Sequence, residues 1–135
     1  MRAGGKAALA RALAAIERRP DDPGLIDLLD RAWGESVRAG HIVGLTGPPG
    51  VGKSTLLQRL IAGWRGGGRT VGIVAVDPSS RRTGGALLGD RARLSIDPED
   101  QGLFVRSMAA RDRLGGLATL TAPAVVLMSA LFDIV

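Results

Sequence analysis

One nine-residue stretch limits what this chain can fold into more than any other: Gly47-Pro48-Pro49-Gly50-Val51-Gly52-Lys53-Ser54-Thr55. It fits the pattern G-x-x-x-x-G-K-[ST] at every defined position. The glycines let consecutive backbone N–H groups turn inward as a nest for an anion. A helix that follows directs its positive dipole end at the same point. In such a loop Lys53 reaches the β- and γ-phosphates of a nucleotide and the Ser54 hydroxyl ligates Mg²⁺. The competing reading is a Gly/Pro turn that binds nothing, and the flanks decide against it. His41 to Thr46 is a short apolar, β-branched run of the kind a buried strand needs. After the loop, Leu56, Leu57, Leu60, Ile61 and Trp64 recur at helical spacing until Gly66-Gly67-Gly68 stops the helix.

A second strand reads from Thr70 to Asp77, nearly continuous in apolar residues. Two strands joined by a helix make a βαβ unit with parallel pairing. Asp77 falls at the carboxyl end of its strand, the edge where open α/β sheets bind ligands. A carboxylate there holds Mg²⁺ directly or through water, or it caps the turn made by Pro78-Ser79-Ser80. Arg81 to Gly89 is a polar, glycine-rich loop too long for a plain connector. Such loops beside a phosphate site often order around the γ-phosphate. Asp90 follows, at the start of a short helix through Leu94. Ser95 to Gly102 is an acidic surface loop, Leu103 to Ser107 a third strand, and Arg111 to Gly116 a glycine-bearing turn. A helix is expected from Thr121 to Leu131, and Asp133 to Val135 opens a fourth strand.

Ahead of the loop, Lys6 to Arg19 reads as an amphipathic helix with Leu9, Leu13 and Ile16 on one face. Pro20 to Pro23 breaks it, with Asp22 as N-cap and Pro23 as first-turn residue of a second helix. That helix places Leu25, Leu28, Leu29, Ala32, Trp33 and Val37 on one stripe, Trp33 read most simply as core filler, with a partner contact as the alternative. The expected class is therefore α/β: a P-loop NTPase parallel sheet core with helices on both faces, preceded by a two-helix segment. A boundary near residue 40 separates a helical segment, 1–40, from a phosphate-loop domain, 41–135.

Composition bears on function mainly by exclusion. The 135 residues contain no cysteine, so disulfides, Cys-ligated zinc and thiol nucleophiles are out. The single histidine, His41, rules out a multi-histidine metal site. No apolar run is long enough to span a membrane, and the N-terminus lacks a signal-peptide core, so a cytoplasmic protein is expected. The net charge of +5 is nearly all arginine, 16 against two lysines. Those arginines are scattered and have no aromatic residues among them to stack bases, which argues against nucleic acid as the ligand. From Ser36 to Val76 there is no acidic residue. That interval holds the phosphate loop and favours a polyanion, although short apolar strands with few charges of any kind also account for part of it.

Four segments together resemble one family. Gly44 to Thr55, Ala75-Val-Asp-Pro-Ser-Ser80, Arg82-Thr-Gly-Gly-Ala-Leu-Leu-Gly-Asp90, and Phe104 to Ala109 with Leu114-Gly-Gly-Leu117 are similar to the methylmalonyl-CoA mutase-associated GTPases of MeaB/ArgK type. The phosphate loop alone is generic; the second and third segments at this spacing are far more specific. The resemblance covers about residues 5 to 135. It implies binding of GTP and GDP with Mg²⁺, slow hydrolysis, and service as chaperone to an adenosylcobalamin-dependent methylmalonyl-CoA mutase, gating cofactor loading and protecting the enzyme. It implies that Lys53, Asp77 and Asp90 are catalytic, that Gly47 through Thr55 bind the phosphates, and that Ser54, Asp77 and Asp90 surround the metal. It implies a homodimer for the full-length protein. Members of the family continue past the fourth strand into an E-T-V-G-V-G-Q segment, a guanine-specificity motif and a dimerisation arm, so this chain is expected to be the front part of a larger protein. The other readings are an ATP-dependent small-molecule kinase on the same loop, or a nucleotide-binding fragment without catalysis.

Overall fold

The computed structural model describes residues 5–77, 97, 99–109 and 120–135, with the side chains of 35–39, Asp77 and Ala109 excepted. The order is α1 (Gly5–Arg18), α2 (Pro23–Ala39), α3 (Lys53–Gly66), β1 (Val71–Asp77), β2 (Leu103–Ala109) and α4 (Thr121–Ser129). β1 and β2 pair in parallel, Val71 opposite Leu103 through Asp77 opposite Ala109. The Asp133–Val135 segment adds to the other side of β1. Gly72 N donates to Ile134 O at 2.8 Å and Ile134 N to Thr70 O at 3.1 Å. Beyond it lies the chain leading into the phosphate loop, with His41 N on Asp133 O at 2.9 Å and Val43 N on Val135 O at 2.7 Å. Four parallel pieces thus lie side by side.

Alternation along the strands sends side chains to two separate apolar layers. On one face Val71, Ile73, Leu103 and Val105 meet Ile61, Leu57 and Trp64 of α3. On the other, Phe104 and Met108 join Leu9, Leu13 and Ile16 of α1, Leu25 and Ala32 of α2, and Ala124, Leu127 and Met128 of α4. Helices therefore cover both faces, and the α/β class holds. Gly72 is required by this packing: a Cβ there would lie 2.6 Å from Met128 Cε and 3.0 Å from Phe132 Cδ2.

The helix starts follow from local chemistry. Asp22 caps α2, its Oδ1 accepting from Gly24 N at 2.9 Å and Leu25 N at 3.2 Å, with Pro23 in the first turn. At the far end of α3, Gly67 N reaches Gly63 O at 3.1 Å, and Gly68 turns the chain with a φ of 74°.

Two expectations fail. Trp33 is not core: it is 61% exposed, and Leu28 of the same expected stripe is 39% exposed. Among the described side chains, the buried stripe of α2 runs through Leu25, Leu29 and Ala32; Val37 of the expected stripe lies outside them. Nor is 41–46 a buried strand, because Ile42, Val43 and Leu45 are 60%, 48% and 40% exposed. Among the described residues its backbone pairs with the Asp133–Val135 segment, through His41 and Val43.

Candidate functional site

The phosphate loop leaves the extended segment at Gly47 and enters α3 at Lys53. Gly47, Gly50 and Gly52 have φ of 149°, 81° and 88°, conformations in which an L side chain is strained. Gly52 is also the residue before the helix, and Leu56 N bonds back to its carbonyl at 2.9 Å. The amides of Lys53, Ser54 and Thr55 are then left as the unsatisfied donors of a helix start. Proline at 48 and 49 has no N–H, so the nest's donors can come only from residues 50–55. What the prolines add is rigidity and, at Pro48, a carbonyl.

Lys53 fixes the loop's shape. Its Nζ donates to Gly47 O at 2.6 Å and to Pro48 O at 2.7 Å, tying the first turn of α3 to the loop's opening residues. The side chain is thereby held over the loop with one donor still to give. Residues Gly47 to Gly52, Ser54 and Thr55 are all exposed, so the nest opens to solvent. No carboxylate lies in the surrounding sequence from Ser36 to Val76 to repel an anion. This arrangement fits a chain of phosphates.

For Mg²⁺ the fit is of the kind that depends on phosphate oxygens. Among the described residues no cluster of three or more His, Cys, Asp or Glu could hold a metal alone. Mg²⁺ at phosphate sites is ordinarily held by one or two carboxylates or hydroxyls together with the phosphates and water. The exposed Ser54 hydroxyl, in the first turn of α3, is such a ligand. Asp77 closes β1 at its carboxyl end, on the same edge of the sheet from which the loop departs. Its side chain lies outside the described residues, as do Asp90, the Arg81–Gly89 loop, the short helix from Asp90, and the Arg111–Gly116 turn. The site's described half is therefore the loop, Lys53 and Ser54.

The opposite edge of the sheet is a structural clasp that sequence reading missed. Arg65, in the last turn of α3, grips the Asp100 carboxylate, and the Asp100 carbonyl accepts from Lys6 Nζ at 2.6 Å. Asp133 Oδ2 accepts from Thr70 N at 2.7 Å and Thr70 Oγ1 at 2.8 Å. These bonds hold both helical layers to the amino ends of the strands. The hydrogen bonds from Arg65 keep the Asp100 carboxyl below its ordinary range, and those from Thr70 do the same for Asp133.

A parallel sheet with a lysine-clamped nest opening into a helix defines the P-loop α/β class of phosphate-binding domains. Within that class, the family described as Methylmalonyl Co-A mutase-associated GTPase MeaB matches residues 9–135, and the chain belongs to it. A protein of Mycobacterium tuberculosis (strain H37Rv) named a probable GTPase is 42% identical over 141 residues, 100% of this chain and 41% of the relative. GTPase ArgK of Escherichia coli K12 is 35% identical over 121 residues, 86% of this chain and 35% of the relative. The fused isobutyryl-CoA mutase of Cupriavidus metallidurans is 36% identical over 113 residues, 82% of this chain and 10% of the relative. The chain spans 28% to 41% of the length of the GTPase-named relatives it matches. Among the described residues no helix is long and apolar enough to cross a membrane.

Proposed function

We propose that this chain supplies the phosphate-gripping part of a cytoplasmic GTPase that serves an adenosylcobalamin-dependent acyl-CoA mutase, methylmalonyl-CoA mutase in the family's usual pairing. The observation that carries the reading is the nest of residues 47–55, whose opening residues Lys53 ties to the first turn of α3. Membership in a mutase-associated GTPase family, and a relative that is named a fused isobutyryl-CoA mutase, support GTP as the ligand and a mutase as the partner.

In this reading the reaction is phosphoryl transfer to water. The amides of residues 50–55 and the free donor of Lys53 hold the β- and γ-phosphates, and these groups meet the charge that grows on the phosphate oxygens as the bond to the leaving group breaks. Ser54, with Asp77 and Asp90, would hold Mg²⁺, which would neutralise part of that charge. The helical segment 1–40 backs the sheet of the 41–135 domain. The hydrolytic cycle then gates cofactor loading and protects the mutase, the full-length protein acting as a homodimer.

Competition binding on the full-length protein, which would carry the family's guanine-specificity motif, tests the base preference. Displacement of a fluorescent GTP analogue by GTP and GDP at concentrations well below those of ATP is the expected result. Tighter displacement by ATP would favour a small-molecule kinase and overturn the GTPase reading.

A further inference from the structure

The phosphate loop is reached through one short piece of chain, and the course of that piece is set from outside it. Gly40 ends α2, and residues 41–46 then deliver Gly47. A Cβ at Gly40 would lie 2.6 Å from the Ser129 carbonyl oxygen and 2.8 Å from that of Phe132. Both are backbone atoms, at the end of α4 and just past it, and neither can swing aside as a side-chain tip does. Gly40 has a φ of −112°, which any residue adopts, so glycine is needed here for contact and not for backbone freedom.

Asp133 fixes the next residue. Its carbonyl accepts from His41 N at 2.9 Å, while Thr70 N and Thr70 Oγ1 hold its carboxylate at 2.7 and 2.8 Å. One residue thus refers the loop-bearing segment to β1. Val135 N on His41 O at 2.8 Å and Val43 N on Val135 O at 2.7 Å carry that register toward Gly47. The anchor itself rests in the core, because Phe132 is buried and stacks on Phe104 of β2 with ring centroids 6.2 Å apart. Lys53 does a different job. It reaches only Gly47 and Pro48, so it shapes the loop internally. Placement of the loop against β1, whose last residue is Asp77, falls to the Gly40 and Asp133 contacts and to the packing of α3.

We propose that Gly40 and the Thr70–Asp133 pair are positioning residues for the phosphate site, setting the register at which the loop stands beside the carboxyl end of β1. The inference rests on the nucleotide reading of that loop. Its physical basis is that donors aimed at phosphate oxygens lose alignment when their support moves by about 1 Å. A methyl group at residue 40 forces such a movement, because only backbone lies in its way. Loss of the Thr70 hydroxyl frees the same segment from the other end of the relay.

Titration of a fluorescent GTP analogue with Mg²⁺ into this chain, together with the amide NMR resonances of Gly47, Gly50 and Gly52, is the test. Gly40→Ala and Thr70→Val each weaken binding about fivefold or more and move those three resonances. Thr70→Ser, which keeps the hydroxyl, restores both. Asp100→Asn loosens the far end of α3 without touching the 133–135 segment, and it leaves affinity and loop resonances at wild-type values. Should Gly40→Ala lose its helical circular dichroism, Thr70→Val and its serine rescue carry the test. Three results would overturn the proposal: wild-type loop resonances in the folded variants, equal weakening by Asp100→Asn, or a serine variant no better than the valine one. A wild type that binds no nucleotide, while its loop resonances still answer to Gly40 and Thr70, would support the positioning and overturn the phosphate reading alone.

Discussion

Arg65 and Asp100 form a two-pronged ion pair, Nε to Oδ2 at 2.7 Å and Nη2 to Oδ1 at 2.5 Å, that joins the last turn of α3 to the turn entering β2. The same guanidinium donates to Arg69 O at 2.6 Å, and Asp100 Oδ1 also accepts from Gly102 N at 2.9 Å. The pair is partly open to solvent, so its value lies in geometry more than in charge. Asp100→Asn removes one prong and the charge, and should lower unfolding free energy by about 1 kcal/mol in urea titration. Gly102→Ala should cost no more than that, because the Cβ would lie 2.4 Å from the guanidinium carbon of Arg65, the flexible end of a side chain that can swing aside at the expense of the ion pair.

Acid should weaken the fold through two carboxylates. Both Asp100 and Asp133 are held below the ordinary value of 3.8. A depressed folded-state value means the unfolded chain takes up protons first. The stability these groups contribute is complete above that ordinary value and is lost as pH falls through the lower, folded-state values. Urea midpoints should therefore be flat from neutrality down to the ordinary carboxylate range and drop below it. In a double variant, Asp100→Asn with Asp133→Asn, the acid limb should be shallower.

Thr70 ties β1 to the Asp133 segment through three bonds, two into the carboxylate and one from Asp133 N to Thr70 Oγ1 at 3.0 Å. Thr70→Val keeps the shape and removes the two bonds made by the hydroxyl. The expected loss is about 1 to 2 kcal/mol, with faster amide exchange at Ile134 and Gly72 than at β2.

Overpacking should be readable at Gly72. Gly72→Ala drives a methyl into Met128 and Phe132 and should cost about 1 to 3 kcal/mol. Adding Met128→Ala removes the atom met at 2.6 Å, so the double variant should be more stable than the two single losses would sum to.

Much of this architecture was legible in the sequence because local chemistry and global packing agree. Asp22-Pro23 announces the start of α2, Gly66 to Gly68 the end of α3, and an unbroken apolar run the parallel β1. The phosphate loop was legible because its glycines are needed for backbone reasons that no other residue meets. Trp33 misled because helical periodicity tells which residues could share a buried stripe, not how wide a stripe the neighbouring elements cover. The 41–46 run misled for a related reason, since apolar β-branched residues favour extended backbone whether or not anything covers them. The Arg65–Asp100 and Thr70–Asp133 bonds join positions 35 and 63 residues apart, and no local pattern announces such pairs.

The metal side of the proposed site makes its own prediction. If Asp90 holds Mg²⁺, Asp90→Ala should weaken the Mg²⁺ dependence of GTP-analogue binding more than it weakens binding of GDP without metal. Equal weakening of both would make Asp90 a structural cap.

The central claim is that the Lys53-clamped nest grips nucleotide phosphates. Titration of a fluorescent GTP analogue with Mg²⁺ into wild type and Lys53→Ala, checked for equal helical content, tests it most directly. Saturable binding by wild type, weakened about tenfold or more in the variant, is the predicted result. Equal affinity in the two proteins, or no binding by wild type, would contradict it.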